Sequence, residues 1–321
     1  ETLGEVTIGC AGGGDSTITL PLETTDAPAG TKAFRLKVSG LRGGHSGIDI
    51  HEQRGNAIKI LTRLLSKVAA QYPCHLVSIA GGNKRNAIPR EAFAEVMVLE
   101  TAVKGVQTFI ADEIARVAVE LGGREKGIAA SLEGSDGGHA VLGEASQARL
   151  LELLLALPHG VELMSYDIPG LVMTSNNLAT VSTSDGKAVI GTSTRSSIAS
   201  SLQALRDRIA ACARLAGATV VENNPYPGWA PNLESPLLKV FKKVHERTMG
   251  KEPETIAIHA GLECGIIGEK FPGMDMISFG PTIRNPHSPD EKVNIESVAS
   301  FWGLLGALLA EMAGTGSRSL A

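Results

Sequence analysis

The chain has 321 residues, which is enough for about two domains of roughly 150 residues each. Hydrophobic residues make up 43% and charged residues 20%, as in an ordinary globular protein. A net charge of −4 gives no electrostatic reason to expect nucleic acid or a membrane as a partner. No apolar run approaches the ~20 residues of a membrane span. The four cysteines are far apart, which favours a cytoplasmic protein with free thiols.

The first part of the chain predicts strands and amphipathic helices. Residues 34–39 alternate apolar and polar, as a half-buried strand does. Ile58, Leu61, Leu65 and Val68 recur at helical spacing. Further elements are predicted as strands at 75–80 and 93–99, a helix over 106–121 that a pair of glycines ends, and a helix near 147–157.

The next part repeats this pattern. Strands at 172–182 and 188–194 flank Asp185 and Gly186, a type I′ turn signal that predicts a hairpin. A helix follows over 198–212, with Gly217 just past its end. Hairpin-linked strands with helices between them predict an α+β unit, in which helices cover one face of an antiparallel sheet. The tandem order also indicates an internal repeat.

Residues 224–229 (NPYPGW) mark a boundary. Beyond them, Ser235 can cap a helix with Pro236 at its first position and Gly250 past its end. Short strands are predicted at 255–259 and 274–279, and a helix with a wide apolar stripe at 298–312. Since about 85 residues bury too small a core alone, we expect this segment to complete an α/β layer whose other half precedes Glu1.

Two histidines lie in loops that could serve chemistry. His287 lies between prolines in GPTIRNPHSPDE (280–291), and a neutral imidazole held by a rigid loop suits zinc. Because zinc needs three or four ligands, this residue alone is better explained as an ordinary loop histidine. His45 lies in the glycine-rich GGHSG (43–47), where a ligand or the backbone could approach closely, although a strand-to-helix turn with an incidental histidine explains the motif equally well.

Two further clusters also have a functional and a structural interpretation. Arg195 ends a strand, where its guanidinium could grip a carboxylate, although a surface ion pair is the commoner fate of an arginine. His259 and Glu263 share the segment HAGLECG (259–265) after a strand. They fit a binding loop and a buried structural pair equally well, and the residues alone leave these alternatives open.

Taken together and in this order, the motifs resemble the aminoacyl-histidine dipeptidases, or cytosol non-specific dipeptidases. The motifs are IGCAGG (8–13), LRGGHSG (41–47), GGNKRNAIPREAFA (81–94), TSNN (174–177), YPGW (226–229), HAGLECG (259–265) and GPTIRNPHSPDE (280–291). These enzymes share a metallopeptidase family with carnosinases, aminoacylases and acetylornithine deacetylase. The resemblance spans nearly the whole chain and is specific, since an ordered set of this size does not arise by chance.

The resemblance implies a fold and a division into domains. Family members have an α/β catalytic domain with two adjacent metal ions, usually zinc, and an inserted α+β lid that mediates dimerisation. Residues 31–223 then correspond to the lid. Residues 1–30 are a remnant of the catalytic domain, 224–313 are its C-terminal part, and 314–321 are a flexible tail. The chain thus resembles the C-terminal two thirds of a cytoplasmic, homodimeric enzyme.

The resemblance also implies roles for single residues. His287 matches a metal ligand. His45 matches the lid histidine that reaches into the partner subunit's site and stabilises the oxyanion. Arg195 and Asn177 match lid residues that hold the carboxylate of a dipeptide substrate.

A substrate-contacting loop is matched by Gly261 and Glu263. The family's upstream His-x-Asp, bridging Asp and Glu-Glu pair, which supply the other metal ligands and the general base, are not found in this sequence. We therefore expect this chain alone to be inactive.

Three functions are consistent with these observations. The first is a metal-dependent dipeptidase that hydrolyses Xaa-His and other dipeptides as part of a full-length two-metal enzyme. The second is a non-catalytic lid and dimerisation module. The third is a deacylase of N-acyl amino acids, which would share the metals and differ in the groups that face the acyl side.

Overall fold

The computed structural model describes residues 1–136, 138, 140–285 and 289–316. The strands are β1 Glu5–Cys10, β2 Gly12–Pro21, β3 Thr24–Asp26, β4 Thr31–Ser39, β5 Gly44–His45, β6 Cys74–Gly81, β7 Ala87–Ile88, β8 Ala92–Leu99, β9 Ala129–Gly134, β10 Ala140–Leu142, β11 Gly160–Met164, β12 Val172–Ser184, β13 Lys187–Ser196, β14 Thr219–Glu222, β15 Glu254–Ile258, β16 Ile283–Arg284 and β17 Lys292–Val293. The helices are α1 Ala57–Gln71, α2 Val103–Leu121, α3 Glu144–Ala156, α4 Ala199–Leu215, α5 Pro236–Met249, α6 Glu263–Lys270 and α7 Ile295–Gly316.

One large antiparallel sheet dominates the structure. Its strands lie in the order β14-β2-β13-β12-β6-β8-β4-β9, with β11 beside β12. The predicted hairpin is confirmed as β12 and β13. Its turn residues Asp185 and Gly186 have φ of 49° and 68°, as a type I′ turn requires.

The sheet consists of two halves with the same strand order. The first half comprises β4, α1, β6, β8, α2 and β9, and the second comprises β2, α3, β12, β13, α4 and β14. In each half the fourth strand lies outermost, followed by the first, third and second. The two second strands, β6 and β12, join the halves by pairing Gly81 with Val181 and Ala80 with Ser182. The tandem repeat expected from the sequence is therefore present in the topology.

The first half is inserted into the second. Strand β2 belongs to the second half but precedes the whole first half along the chain. The chain leaves through β3 and returns through β10, and these two short strands pair at the point of insertion. The sheet therefore begins at Gly12, ahead of the boundary expected at residue 31.

A single hydrophobic core joins both halves. Ile18 of β2 and Leu178 of β12 belong to the same buried cluster as Leu36 of β4 and Leu61 of α1. Each is at most 2% exposed, and burying a side chain of this size stabilises the fold by about 1.5–3 kcal/mol. The helices α1 to α4 all contribute buried residues to this cluster, so they cover one face of the sheet.

A second, smaller core forms around β1 and β15, which pair in parallel. Val6 and Ile8 of β1 pack there with Phe241 of α5 and Leu304 of α7. This region contains the α/β layer predicted for the end of the chain.

The predicted limits of α5 are confirmed. The Ser235 side chain accepts a hydrogen bond from Leu238 N at 2.9 Å, which satisfies one of the free amides at the helix start. The helix ends at Gly250, whose φ of 76° is the left-handed conformation that glycine adopts without strain.

The prediction of a strand at 274–279 is wrong. Within the described part of this segment, Ser278 forms an isolated antiparallel bridge with Thr7, and no strand is assigned. The chain turns at Gly273, where φ is 89°, and Met274 is 49% exposed. A short apolar run does not by itself distinguish a strand from an irregular segment.

Helix α7 also differs from expectation. Over Ile295–Gly314 it is long and apolar enough to cross a membrane by length and composition alone, a test that core helices of soluble proteins also meet. The helix itself was predicted at 298–312, but its apolar length was not expected, because glycines and Glu311 interrupt the apolar run. Leu304 and Leu308 are buried in the second core, whereas Trp302 is 71% exposed.

Candidate functional site

The candidate site lies where the ends of β12 and β13 meet the segments around Tyr226 and His259. Ser175 of β12 lies directly opposite Arg195 of β13, and opposite residues on paired strands share a face. Asn177 lies on that face too, because side chains alternate along a strand. Leu178 points to the other face, into the core beneath the helices. The polar residues are therefore on the face that the helices leave uncovered.

Arg195 is a buried cation at this face. The residue is 8% exposed, and its Nη1 donates to the Tyr226 hydroxyl at 2.9 Å. Within the described ranges, no carboxylate lies within salt-bridge distance of its guanidinium, and Nε has no hydrogen-bond partner. Since a buried charge is costly unless it is paired, this guanidinium is suited to receive an anionic ligand group.

Tyr226 reaches Arg195 because the glycines at the start of β2 let its segment approach. Backbone hydrogen bonds join Gly13 and Tyr226 in both directions, at 3.1 and 2.9 Å. A Cβ added at Gly13 would lie 2.5 Å from the tyrosine hydroxyl, and one added at Gly12 would lie 2.4 Å from Gly228 N. Burial raises the pKa of Tyr226, and nearby Asp15 adds to the rise although Arg195 opposes it.

His259 is a buried neutral imidazole beside the same strand. Its Nε2 and the Ser175 hydroxyl are 2.7 Å apart, and the residue is 8% exposed. Burial, and secondarily the charge of Arg195, lower the pKa of His259 from 6.5 to about 3. The ring therefore stays uncharged at neutral pH and does not compete with Arg195 for an anion.

Asn177 braces a loop in this structure. The residue is 1% exposed, and its Nδ2 donates to Ala87 O at 2.8 Å and to Arg85 O at 3.1 Å. Its Oδ1 is buried and makes no hydrogen bond to any residue that the structure describes. The amide thus fixes the loop that leads into β7.

His45 lies on β5, which pairs with β7 through His45 and Ala87. Its Nδ1 accepts hydrogen bonds from the backbone amides of Gly47 and Ile48, both at 3.2 Å. Its own backbone amide donates to Asp49 Oδ2 at 2.7 Å. With Nδ1 accepting, the proton of the neutral ring lies on Nε2, which is therefore a hydrogen-bond donor.

The structure brings this histidine to the candidate site. A Cβ added at Gly47 would lie 2.5 Å from His259 O, so the turn after His45 packs directly on the His259 backbone of the same chain. Arg54 holds the turn from behind, donating to Gly43 O at 2.6 Å and to Asp49 Oδ1 at 2.9 Å.

Gly261 and Glu263 lie in the loop and helix that follow His259. A Cβ added at Gly261 would lie 3.1 Å from the Tyr226 ring, so this loop passes close to the tyrosine. Glu263 is the first residue of α6 and is exposed. A carboxylate at a helix N-terminus is stabilised by the free amides and the helix dipole.

The metal site is not assembled from the part of the chain that the structure describes. His287, the predicted ligand, lies outside the described residues. Among those described, no group of three or more His, Cys, Asp or Glu side chains could hold a metal ion. We therefore assign no chemical step to a metal here.

Ser175 and Tyr226 were not predicted as site residues. Both lie inside motifs that the sequence analysis used, TSNN and YPGW, but those motifs alone give no partner for either side chain. Ser175 and His259 are 84 positions apart, and only the folded chain shows that they touch. The glycines of β2, which give Tyr226 access to Arg195, were the one available signal.

Part of the chain matches a known protein-family model. Residues 36–121, most of the first half of the sheet, match the family model of the peptidase dimerisation domain M20_dimer. This region is therefore similar to a peptidase dimerisation domain.

Individual relatives match far more of the chain. It is 40% identical over 312 residues to the cytosol non-specific dipeptidase of Escherichia coli, covering 97% of this chain and 64% of that protein. It also matches the crystal structure of the aminoacylhistidine dipeptidase from Vibrio alginolyticus, with 40% identity and a TM-score of 0.92. That match covers 97% of this chain and 63% of the Vibrio chain. The predicted resemblance is thereby confirmed, and this chain spans less than two thirds of either relative.

Proposed function

We propose that the protein containing this chain is a metal-dependent dipeptidase. The observation that carries this proposal is 40% identity over 97% of the chain to a dipeptidase, together with the same fold in a second one. Buried Arg195, which forms no ion pair with any residue that the structure describes, supports it independently, because a dipeptide presents a terminal carboxylate. An Arg–carboxylate pair is charge-assisted and can be bidentate, which suits recognition of a short peptide's end.

The chain's residues have separate proposed tasks. Arg195 binds the substrate carboxylate, and Tyr226 orients the guanidinium through its hydroxyl. Asn177 supports the loop that carries β7 and also lies near enough to border the substrate. His45 donates from Nε2 to the oxyanion that develops on the scissile carbonyl, a contribution worth roughly 3 kcal/mol for a single donor. Gly261 and Glu263 line the substrate loop.

The metals are proposed to be zinc, with His287 as one ligand. An imidazole in a proline-bracketed loop suits zinc, and the remaining ligands would come from outside the described residues. When bound, the metals would polarise the scissile carbonyl and activate water. The proposal also includes a lid formed by the large sheet, which takes in β2 as well as residues 31–223, with the catalytic part at 224–313. A homodimer formed through this lid and a cytosolic location complete it.

The test is a hydrolysis assay on the full-length protein that contains this chain. We expect it to release histidine from Ala-His with Zn²⁺ present and to lose that activity in a chelator. The C-terminally amidated dipeptide should be a poor substrate, because it lacks the carboxylate for Arg195. Equal rates on the free and amidated peptides would contradict the assigned role of Arg195, and no metal-dependent hydrolysis of any dipeptide would contradict the function.

A non-catalytic dimerisation module is the second candidate for this chain taken alone. The match to the dimerisation-domain model and the lack of a metal-ligand cluster among the described residues favour it. Metal analysis of the isolated chain distinguishes the two: tight, stoichiometric zinc would contradict the module, and none would agree with it.

A further inference from the structure

We propose that a cavity on the uncovered face of the first half binds a small organic anion in which a carboxylate or phosphate group is joined to an aromatic ring. This first-half cavity is lined by Arg42, Arg90 and Phe93 among others, and its volume is about 510 Å³. Cavities of roughly 300–1,000 Å³ are typical of small-molecule sites. The proposal does not depend on the dipeptidase function.

The floor of the first-half cavity is the sheet itself. Ala80 of β6 and Phe93 of β8 lie opposite each other, and both line the cavity. Ala92 and Ala94, on either side of Phe93, are buried in the core beneath the helices, so Phe93 points to the uncovered face. Lys37 Nζ lies 5.4 Å from the centroid of its ring. The floor is therefore an aromatic surface beside a cation, which suits a flat apolar group that carries a negative charge.

The chain segment beside this floor is held by hydrogen bonds. Ile88 pairs with Gly44 in the ladder of β5 and β7. Pro89 O accepts a hydrogen bond from Ala57 N, the first amide of α1, at 2.9 Å. The side chain of Arg90 therefore projects from a backbone that two other elements fix in place.

The loop before this segment separates the cavity from the candidate site. On one side, Asn83 and Ala87 line the cavity. On the other side, Arg85 crosses onto the second half, donating to Ser16 O at 2.7 Å and to Thr17 Oγ1 at 2.8 Å. The first-half cavity is therefore a second site and not an extension of the one around Arg195.

Arg90 supplies the positive charge. Its stem packs on the backbone of the turn at Gly43, because a Cβ added at Gly43 would lie 3.2 Å from Arg90 Cβ and 3.8 Å from its Cδ. Arg90 is exposed, and its guanidinium forms no ion pair or hydrogen bond with any residue that the structure describes. A stem that is already packed loses little conformational freedom when the guanidinium binds an anion.

The other charged groups at the cavity have partners of opposite charge. Arg42 Nη1 lies 3.4 Å from Glu52 Oε2, and Glu91 Oε2 lies 3.9 Å from Lys37 Nζ. Arg90 therefore remains as the unmatched charge of this group. A guanidinium forms charge-assisted and often bidentate hydrogen bonds with carboxylate or phosphate oxygens. This cation beside an aromatic floor defines the ligand class as a small aromatic anion.

Calorimetric titration of the full-length protein carrying Arg195→Met tests the proposal, because this variant cannot bind anions through Arg195. The probes are benzoate and phenyl phosphate, which distinguish the two anionic groups. Benzamide is the control without the charge, and inorganic phosphate is the control without the ring. We expect one binding site per chain for benzoate or phenyl phosphate and weaker binding of both controls. An absence of saturable binding by either aromatic anion would overturn the proposal.

Further variants in the same background locate the bound anion. Arg90→Gln should weaken its binding about 10-fold to 100-fold, because a charge-assisted pair is lost. Arg124→Gln, at another exposed position of the first half, should leave the affinity unchanged. Phe93→Leu should weaken binding of the aromatic anion about 2-fold to 10-fold and leave that of inorganic phosphate unchanged. Urea denaturation checks that each variant is folded. Equal affinities of the folded Arg90→Gln and Arg124→Gln proteins would overturn the assignment to this cavity.

Discussion

The two halves of the sheet share a topology but differ in what they contribute. The second half carries Arg195, Ser175 and Asn177 on the face that the helices leave uncovered, where Arg195 contacts Tyr226 and Ser175 contacts His259. From the first half come His45, on a short strand, and a loop that lies across its neighbour. One half therefore builds a binding surface, and the other adds a donor to it.

This difference shows how a repeat can acquire two roles. Both halves contribute apolar residues to one core, but β12 and β13 are buried almost continuously, whereas β6 and β8 are more nearly alternating. Where the second half meets the end of the chain, Ser175, Arg195 and His259 are buried polar residues, each at most 8% exposed. Function is concentrated at that junction, and the following changes probe each side of it.

The largest effect is expected for the first half's donor. His45→Ala removes the imidazole donor, and we expect kcat to fall about 100-fold to 1000-fold because one oxyanion donor is lost. Steady-state kinetics on Ala-His measures this change. His51→Ala, at an exposed histidine of the same half, is the matched control and should leave kcat unchanged. A fall mainly in metal content would contradict the role.

The second half's cation should be next. Arg195→Met removes a charge-assisted pair worth roughly 1.5–3 kcal/mol, so kcat/KM on the free dipeptide should fall about 10-fold to 100-fold. The amidated dipeptide should show little change. Arg214→Met, at an exposed position on α4, serves as control. An equal loss on both substrates would contradict a contact between Arg195 and the substrate carboxylate.

The brace between the halves should affect both stability and activity. Asn177→Ala leaves the partly buried carbonyls of Arg85 and Ala87 without their donor, which should lower the unfolding free energy by about 1–3 kcal/mol. Urea denaturation measures this value, with exposed Asn83→Ala as control. A variant with full stability and reduced kcat/KM would show that Asn177 contacts substrate only.

The buried imidazole predicts a pH dependence of stability. Because the pKa of His259 is lowered from 6.5 to about 3, the unfolded chain binds more protons between these values. The neutral His259 ring therefore contributes fully to the unfolding free energy above pH 6.5. This contribution falls as the pH is lowered, by about 2 kcal/mol at pH 5. His259→Gln should flatten the stability profile in this window, whereas His51→Gln should not. An unchanged slope would contradict a buried neutral His259.

The smallest effect is expected at the strand junction itself. Thr183 Oγ1 accepts from Ile79 N at 2.9 Å, linking β12 to β6. Thr183→Val should lower the unfolding free energy by about 1 kcal/mol. The control is Thr108→Val, at an exposed position on α2. Two separate unfolding transitions would show that the halves fold independently, and one transition would agree with the shared core.

Local signals predicted much of the fold. The caps of α5 and the hairpin turn at Asp185 and Gly186 were correct because each depends on a few neighbouring residues. Strand β2 was missed because its opening glycines are typical of a turn, although Ser16, Ile18 and Leu20 alternate as in a strand. Those glycines make way for Tyr226, a requirement set by residues far along the chain.

Less of the site than of the fold could be predicted from the sequence. Motifs indicated Arg195 and His45 as separate candidates, but no spacing indicates that one chain brings them together. That arrangement depends on the pairing of β6 with β12 and on the loop around Arg85, both of which are long-range contacts. The sequence did not distinguish a binding role from a structural role for the loop around His259. The contact between His259 and Ser175 favours a place in the site.

The central claim is that one chain places His45 and Arg195 at the same substrate-binding site. A heterodimer of one wild-type chain and one chain carrying both His45→Ala and Arg195→Met tests it most directly. The account predicts half of wild-type kcat per dimer with an unchanged KM, because the wild-type chain keeps both residues together. Activity near that of the double-variant homodimer would contradict it, because both sites would then have lost one residue each.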